Sequence, residues 1–179
     1  MACDLSREHA LHARGFVLVA GVDEAGRGPL AGPVMAAAVI LPHDIHLDGL
    51  NDSKKLTPKK REHFHAILTT RPEIHWAVAA ATVEEIDTLN ILRATHLAMA
   101  RAIAALPQKP QHALVDGLPV RGLPIAHTAL VAGDTLSLSI AAASVIAKVT
   151  RDRLMVDLDA AYPQYGFARH KGYGVREHL

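Results

Sequence analysis

The sequence has 179 residues, of which 50% are hydrophobic, and its 19 basic and 18 acidic residues give a formal net charge of +1, so any site for a polyanion must come from local clustering. This length and composition suffice for one well-buried domain without disulfides or a structural metal. A single cysteine, Cys3, excludes an internal disulfide, and the lack of a signal-peptide profile or a bilayer-spanning apolar stretch predicts a cytoplasmic protein.

The first half of the chain predicts two adjacent strands, a helix and a third strand. The apolar run from Phe16 to Ala20 predicts a buried strand that ends at an acidic, glycine-rich loop. A second run from Val34 to Leu41 should pair with it in antiparallel fashion, because the connection is short. Thr57 is a candidate N-cap for a helix from Pro58 to about Thr70. Ile74 to Ala81 predicts the third strand.

The second half predicts two helices and two further strands. A capping-box pattern at Thr82 begins a helix whose apolar residues keep helical spacing to Leu106. Short strands are predicted over His112 to Val115 and over Ile125 to Val131. A long, alanine-rich helix should follow from about Ser137 to Asp159. This order predicts an α/β domain in which a five-stranded sheet is flanked by helices.

Four carboxylates stand at strand ends or at the start of a helix. Asp23 and Glu24 follow the first strand, Asp116 follows the fourth, and Asp134 precedes the long helix. Each has an ordinary explanation alone, because Asp is common in turns and at helix N-caps. Neighbouring strands would nevertheless bring Asp23 and Asp116 together. Four oxygen ligands without Cys or His favour Mg²⁺ or Mn²⁺ over Zn²⁺, and such ions commonly serve phosphoryl chemistry.

Three further segments could bind phosphates or sugars. The backbone N–H groups of residues 26–28 lie in a loop that a phosphate or sugar could approach closely. Residues 52–55 form either an ordinary solvated loop or a phosphate contact before a helix. Residues 170–173 combine a cation, a glycine and an aromatic ring, which suits stacking on a base or sugar, although a plain loop is an equal alternative.

The long helix carries Ser144 and Lys148 four residues apart on one face. Lys148, Arg151 and Arg153 are its basic residues in this region, and we expect them to face solvent. The twelve histidines show no zinc-binding spacing, so we expect surface positions for them, with His170 as the one worth attention.

Six blocks of residues, in order along nearly the whole chain, resemble bacterial ribonuclease HII. The blocks are Val22 to Val34, Asn51 to Leu56, Val115 to Gly117, Gly133 with Asp134, Ala141 to Arg153 and His170 to Gly174. The resemblance implies a single ribonuclease H-like catalytic domain over residues 1–179 with a central mixed five-stranded sheet. Family members usually continue beyond the Lys-Gly-Tyr motif with C-terminal helices, so a domain without that extension is expected here.

The resemblance also implies an activity. Family members cleave the RNA strand of RNA–DNA hybrids and cut at single ribonucleotides embedded in duplex DNA. Carried over by position, Asp23, Glu24, Asp116 and Asp134 hold two Mg²⁺ or Mn²⁺ ions. One ion activates water and the other stabilises the leaving 3′-oxygen, which gives 5′-phosphate and 3′-hydroxyl ends.

Recognition in this family depends on the sugar rather than on the base sequence. The matching positions place the backbone of Gly26, Arg27 and Gly28 at the ribose 2′-hydroxyl and Tyr173 against the neighbouring deoxyribose. The positions matching those near backbone phosphates are Asp52, Ser53, Lys54, Ser144 and Lys148. Asp152 matches a recurrent acid whose role is not defined by the resemblance.

The expected partners are RNA–DNA hybrids and DNA duplexes that contain ribonucleotides, with no membrane and with the protein as a monomer. The family suggests a role in ribonucleotide excision repair and DNA replication, which makes a replication or repair protein a further candidate partner. Ribonuclease HIII is the nearest alternative within the fold. It usually lacks the Gly-Arg-Gly loop and carries an additional N-terminal domain, and neither trait fits this sequence.

Two functions of other classes are open. The chain could be a hybrid-binding protein that has lost turnover because the C-terminal helices are missing, although clustered acids repel a polyphosphate. It could also be a metal-dependent phosphatase or nucleotide enzyme, although the Arg-Gly loop and the distant Tyr173 suit a polymer better.

Overall fold

The computed structural model describes residues 3–176, so the first two and last three residues of the predicted 1–179 domain lie outside the described part. Two 3₁₀ turns, Gly133–Thr135 and Pro163–Tyr165, accompany the regular elements. In chain order these are α1 (Ser6–His12), β1 (Val19–Ala25), β2 (Val34–Ile40), α2 (Pro58–Thr70), β3 (His75–Ala81), α3 (Val83–Leu89), α4 (Ile91–Ala104), β4 (His112–Asp116), β5 (His127–Leu130), α5 (Leu138–Ala161) and α6 (Phe167–His170).

The five strands form one mixed sheet in the order β3-β2-β1-β4-β5. The first three strands of the chain are antiparallel neighbours. The short loop of residues 26–33 joins β1 to β2, whereas the chain passes through α2 before it returns as β3. The chain then passes through α3 and α4, and β4 enters parallel to β1, with β5 parallel to β4. The predicted mixed five-stranded sheet flanked by helices is therefore confirmed.

The two faces of the sheet carry different helices because side chains alternate along each strand. Phe64 and Leu68 of α2 pack with the apolar residues of α5 on one face. Helix α4 covers the other face, where it meets Ala20 and Val22 of β1. Gly21 points toward α5 and allows a close approach, since a Cβ there would lie 2.1 Å from the carbonyl carbon of Ser139. By the same alternation, Asp23 faces the α5 side of the sheet.

The first strand differs from its prediction. It begins at Val19 and continues to Ala25, so Asp23 and Glu24 lie within the strand rather than in the loop after it. The antiparallel ladder with β2 continues from Ala20 to Ala25 and carries the acidic residues along with it. The glycine and proline residues beyond it are typical of loops, so the sequence pattern predicts an earlier end to the strand.

The helix predicted from Thr82 to Leu106 is two helices. Asn90 separates them, with φ 75° and ψ 162°, and its side-chain oxygen accepts hydrogen bonds from the N–H groups of Leu92 and Arg93. The predicted capping box is present at Thr82, and the helix beginning at Pro58 has the predicted N-cap. Helical spacing alone did not reveal the break, because the partly buried Ile86 of α3 packs against the same core cluster as the apolar residues of α4.

Helix α1 was not predicted. It attaches to the start of α5 through Glu8, a buried carboxylate. Its Oε1 accepts hydrogen bonds from the Ser137 hydroxyl and from both the N–H and the hydroxyl of Ser139. The backbone oxygen of Asp4 also accepts from the N–H of Leu138. Among residues 3–176, none of the helices combines the length and apolar character needed to cross a membrane.

Candidate active site

Three carboxylates meet at one edge of the sheet. Val22 of β1 lies opposite Val115 of the parallel strand β4, so the next residues, Asp23 and Asp116, are neighbours. Asp134 approaches from the 3₁₀ turn that precedes α5. One carboxylate oxygen from each of Asp23, Asp116 and Asp134 lies within 4.8 Å of the others. The structure thus brings together three of the four predicted ligands.

Backbone hydrogen bonds hold this group of carboxylates in place. The Oδ1 atom of Asp116 accepts from the N–H of Gly133 at 2.7 Å and from that of Asp134 at 3.4 Å. The Oδ1 atom of Asp23 accepts from the N–H of Glu24 at 2.7 Å. Position 133 leaves little room for a side chain, because a Cβ there would lie 2.7 Å from Cδ1 of Ile140 and 3.0 Å from Cβ of Leu130. The turn before α5 therefore packs directly against the end of β4.

The electrostatics of the group favour a bound cation. Burial raises the pKa of Asp23 well above its usual range, and the negative charges of Glu24 and Asp116 raise it further. Burial also raises the pKa of Asp134, to about 6, with Asp116 and Asp52 adding to the effect. Every donor in the group is a carboxylate oxygen, which is the ligand type that Mg²⁺ and Mn²⁺ prefer. These residues therefore fit a divalent cation.

Glu24 is not a member of this group of three. It follows Asp23 in β1, so its side chain leaves the strand on the opposite face. Its Oε1 accepts from Nη1 of Arg27 at 3.2 Å. Burial raises the pKa of Glu24, Arg27 opposes that rise, and the charge of Asp116 adds to it. Glu24 is thus close enough to feel the acidic group while it is paired with the Gly-Arg-Gly loop.

The loop of residues 52–54 lies beside the acids. Ser53 is buried, and its N–H donates to the hydroxyl of Ser144 on α5 at 3.0 Å. The Oδ1 atom of Asp52 accepts from the N–H of Lys54 at 2.9 Å. Burial alone lowers the pKa of Lys54, but the attraction of Asp52 and of the three grouped acids outweighs it and raises that pKa. The loop therefore brings the ammonium group of Lys54 close to the carboxylates.

The Gly-Arg-Gly loop and Tyr173, which are predicted to contact the sugars of the substrate, are also neighbours. A Cβ on Gly28 would lie 3.7 Å from Cε1 of Tyr173. The N–H of Leu30 donates to the carbonyl of Gly172 at 2.8 Å, which joins the Gly-Arg-Gly loop to the C-terminal segment. Gly26 has φ +111°, a conformation that favours glycine. The structure thus places the loop and Tyr173 on adjoining segments.

Lys148 on α5 extends this surface. Its Nζ atom lies 5.4 Å from the ring centroid of Tyr173 and 2.8 Å from Oδ1 of Asp152. Ser144 lies one turn earlier on the same helix, as the spacing predicts. Asp152, whose role the resemblance left undefined, is therefore the ion-pair partner of Lys148.

Two arginines were missed or misread. Arg61 was not singled out, yet its Nη1 atom donates to the carbonyls of Ser53 and Leu56, each at 2.8 Å, and holds the 52–56 loop. Arg151 was expected to face solvent, which is wrong, because it is 1% exposed. The missed signal was its spacing, since Ser144, Lys148, Arg151 and Met155 recur every three or four residues along one face of α5.

Two histidines of the described residues are buried, and one of them, His112, departs from the expected surface position. His112 is buried, and its Nε2 atom is 2.9 Å from the hydroxyl of Thr128. His170 is buried as well. Its Nδ1 accepts from the N–H of Gly172, so its Nε2 carries the proton and donates to the carbonyl of Tyr165 at 2.7 Å. His170 therefore shapes the C-terminal segment, residues 170–174, from within, and the stacking predicted for this segment rests on the ring of Tyr173.

Comparison with known proteins identifies the family. The family model described as Ribonuclease HII matches residues 20–179. The chain is 56% identical over 181 residues to Ribonuclease HII of Cereibacter sphaeroides, a match that covers 100% of this chain and 84% of the relative. It is 54% identical to Ribonuclease HII of Desulfitobacterium hafniense, covering 98% of this chain and 67% of the relative.

A solved structure agrees with the sequence matches. The crystal structure of ribonuclease H2 from Pyrococcus horikoshii matches with a TM-score of 0.75 and 32% identity, and the match covers 89% of this chain and 82% of that one. The ribonuclease H-like fold and the metal-dependent ribonuclease predicted from the sequence are thereby confirmed. The chain belongs to the ribonuclease HII family.

Proposed function

We propose that this chain is an endoribonuclease that cleaves the RNA strand of RNA–DNA hybrids and cuts duplex DNA at single embedded ribonucleotides by a two-metal mechanism. The observation that carries the proposal is the group formed by Asp23, Asp116 and Asp134, whose carboxylate oxygens lie within 4.8 Å of one another. A protein that only binds nucleic acid gains nothing from such a group, because carboxylates repel phosphates. Membership of the ribonuclease HII family supports the same reading.

Asp23, Asp116 and Asp134 would hold Mg²⁺ or Mn²⁺, with Glu24 as the fourth carboxylate of a two-ion site. When bound, the ions supply an activated water and stabilise the charge of the leaving 3′-oxygen, which gives 5′-phosphate and 3′-hydroxyl ends. The protein's own contribution is to keep the carboxylates in position. The N–H groups of Gly133 and Asp134 fix Asp116, and that of Glu24 fixes Asp23.

Substrate binding would use the surface beside the acids. The backbone of residues 26–28 would meet the ribose 2′-hydroxyl, with Tyr173 against the adjoining deoxyribose. The proximity of Gly28 to Tyr173 supports this arrangement, because a Cβ on Gly28 would lie 3.7 Å from the ring and the two residues can face adjoining sugars of one strand. Asp52, Ser53, Lys54, Ser144 and Lys148 would line the path of the phosphates. Lys54 and Lys148 supply the positive charge, and the N–H of Lys54 is turned to Asp52.

The cellular role follows from this substrate. We infer that the enzyme acts as a monomer in the cytoplasm and removes ribonucleotides from DNA during replication and repair. Pull-down from a cell extract with a duplex that contains one ribonucleotide would identify replication or repair proteins that accompany it. An all-DNA duplex of the same sequence is the control.

The direct test is incubation of the purified chain with a labelled DNA duplex containing one ribonucleotide, with Mg²⁺ or Mn²⁺ in separate reactions. We expect a single cut on the 5′ side of the ribonucleotide, and a product with a 3′-hydroxyl that a polymerase can extend. An all-DNA duplex should remain intact. Asp116→Asn should abolish cleavage.

Asp44→Asn is the matched control for Asp116→Asn. Asp44 is exposed, and it follows β2 at the end of the sheet away from Asp116. Binding of the duplex without any cut by the wild type would favour the hybrid-binding alternative. Hydrolysis of a generic phosphate ester or of nucleotides, with no cut in the duplex, would favour a phosphatase.

A further inference from the structure

Arg151 is a charged side chain buried under the predicted sugar-reading surface. It lies on α5, is 1% exposed, and is the largest of the fully buried side chains in the described residues. Burying a guanidinium is costly unless its N–H groups are satisfied. The position therefore needs an explanation beyond the packing of an apolar core.

All three hydrogen bonds of Arg151 that the structure gives go to backbone carbonyls. Nε donates to Pro33 at 3.0 Å, and Nη2 donates to Ala31 at 2.9 Å. Nη1 donates to Lys171 at 2.9 Å. Two of these acceptors belong to the segment after the Gly-Arg-Gly loop, and the third lies two residues before Tyr173. The guanidinium of Arg151 thus joins the two segments that are predicted to contact the sugars of the substrate.

Glycines make this close packing feasible. A Cβ on Gly26 would lie 2.5 Å from Nε of Arg151, and one on Gly32 would lie 3.3 Å from Nη2. A Cβ on Gly172 would lie 2.4 Å from the carbonyl oxygen of Ala31, the same oxygen that accepts from Arg151. The loop and the C-terminal segment therefore lie directly on the guanidinium. Its fixed fork geometry sets their separation.

We propose that Arg151 is a positioning residue that holds the Gly-Arg-Gly loop and Tyr173 at the spacing needed to recognise a ribonucleotide next to a deoxyribonucleotide. The inference rests on the proposed function of those two elements. Arg151 itself touches no substrate, since it is covered by the segments it joins. Lysine cannot replace it, because a single ammonium cannot reach three carbonyls in the geometry of a guanidinium.

The test compares Arg151→Lys and Arg151→Met with the wild type on two substrates: a DNA duplex with one ribonucleotide and a hybrid whose RNA strand is continuous. On a continuous RNA strand the enzyme can bind and cut at many positions, whereas a duplex with a single ribonucleotide offers only one position for cleavage. We expect kcat/KM on the single ribonucleotide to fall about tenfold or more in Arg151→Lys, with a loss of less than about threefold on the continuous hybrid. The measured quantity is the ratio of kcat/KM on the single ribonucleotide to kcat/KM on the continuous hybrid.

A purely structural role makes a different prediction. Partial unfolding lowers the concentration of active enzyme, so it reduces kcat/KM on both substrates by one factor and leaves their ratio unchanged. An unchanged ratio in Arg151→Lys would overturn the proposal. Arg153→Lys is the matched control, because Arg153 lies on the same helix in an exposed ion pair with Glu62. It should keep the wild-type ratio.

Amide hydrogen exchange tests the same proposal without activity. In Arg151→Lys, the amide of Leu30, which bonds the carbonyl of Gly172, should exchange faster, whereas the amide of Ser53 should not change. Unchanged exchange at Leu30 would contradict the proposal. If the wild type cuts neither substrate, the proposed function fails, and the exchange measurement still decides whether Arg151 joins the two segments.

Discussion

The ammonium nitrogen of Lys148 lies 5.4 Å from the centre of the Tyr173 ring, so the long helix α5 and the C-terminal segment meet at a cation–π contact. The same nitrogen forms an ion pair with Asp152 at 2.8 Å. A lysine held by a ring on one side and by a carboxylate on the other has little rotational freedom left to lose. Its position suits a phosphate of a strand that lies across Tyr173.

Replacing Lys148 by Met should therefore weaken binding of an RNA–DNA hybrid in a salt-dependent way. Each phosphate contact contributes about one unit to the slope of log K against log salt concentration, so the slope should decrease by about one. Fluorescence anisotropy of a labelled hybrid across a range of KCl concentrations measures it. The Lys148 side chain is only 17% exposed and pairs with Asp152, so the thermal midpoint of the variant is measured as well, and binding is compared where both proteins are folded.

Lys109→Met is the control for Lys148→Met. Lys109 is exposed and precedes β4, at the end of the sheet away from the acids. Its replacement should leave the salt slope as in the wild type. An equal decrease in both variants would mean that Lys148 contributes only general positive charge and makes no specific phosphate contact.

Asp134 should make the stability of the protein depend on pH and on metal. Its pKa in the folded protein is about 6, above the usual value for Asp, so the folded state binds a proton that the unfolded state releases. The resulting stabilisation is complete below about pH 4 and is lost as pH rises through about 6. In EDTA, the thermal midpoint of the wild type relative to Asp134→Asn should therefore fall by a few degrees from about pH 5 to about pH 7.5.

Divalent metal should reverse this loss. Binding requires ionised carboxylates, so Mn²⁺ should raise the thermal midpoint at about pH 7.5 and have little effect at about pH 5. Asp134→Asn should respond much less. A midpoint difference between the wild type and this variant that does not change with pH in EDTA would show that Asp134 ionises normally.

Asn90 should tolerate Gly better than Ala. Its backbone lies in a region that only glycine adopts easily, and its side chain caps α4 through two hydrogen bonds. Asn90→Ala loses the cap and keeps the strain, which should cost about 2 kcal/mol of unfolding free energy. Asn90→Gly loses the cap and relieves the strain, so its cost should be below about 1 kcal/mol. Urea denaturation measures both, and an equal cost for the two variants would contradict this account.

The sequence predicted most of the sheet because its strands are uninterrupted apolar runs, as Val34 to Leu41 illustrates. It also predicted that Asp23 and Asp116 meet, since parallel neighbours bring their ends together. The break at Asn90 was not predictable from periodicity, because a capped helix start and a helix interior both accept the same apolar spacing. Arg151 was misread because a basic residue on a helix is usually exposed, and its three carbonyl partners are distant in sequence.

Two glycines close to the site should differ in how much stability the protein loses when the residue is replaced by alanine. A Cβ on Gly21 would lie 2.1 Å from the backbone carbon of Ser139, and neither β1 nor α5 can move aside cheaply. Gly21→Ala should therefore cost about 3 kcal/mol or more, at the upper end of overpacking penalties. A Cβ on Gly28 would make only ordinary contact with Tyr173, at 3.7 Å, so Gly28→Ala should unfold within about 0.5 kcal/mol of the wild type.

Activity should show the reverse order of sensitivity at matched folded fraction. The methyl group of Gly28→Ala would occupy space that the proposed function reserves for the sugar, so kcat/KM on a duplex with one ribonucleotide should fall at least about tenfold. Urea denaturation gives the stability of each variant, and cleavage assays under conditions where both are folded give the activity. Wild-type activity in Gly28→Ala would contradict the proposed close approach of the ribose to the backbone at Gly28.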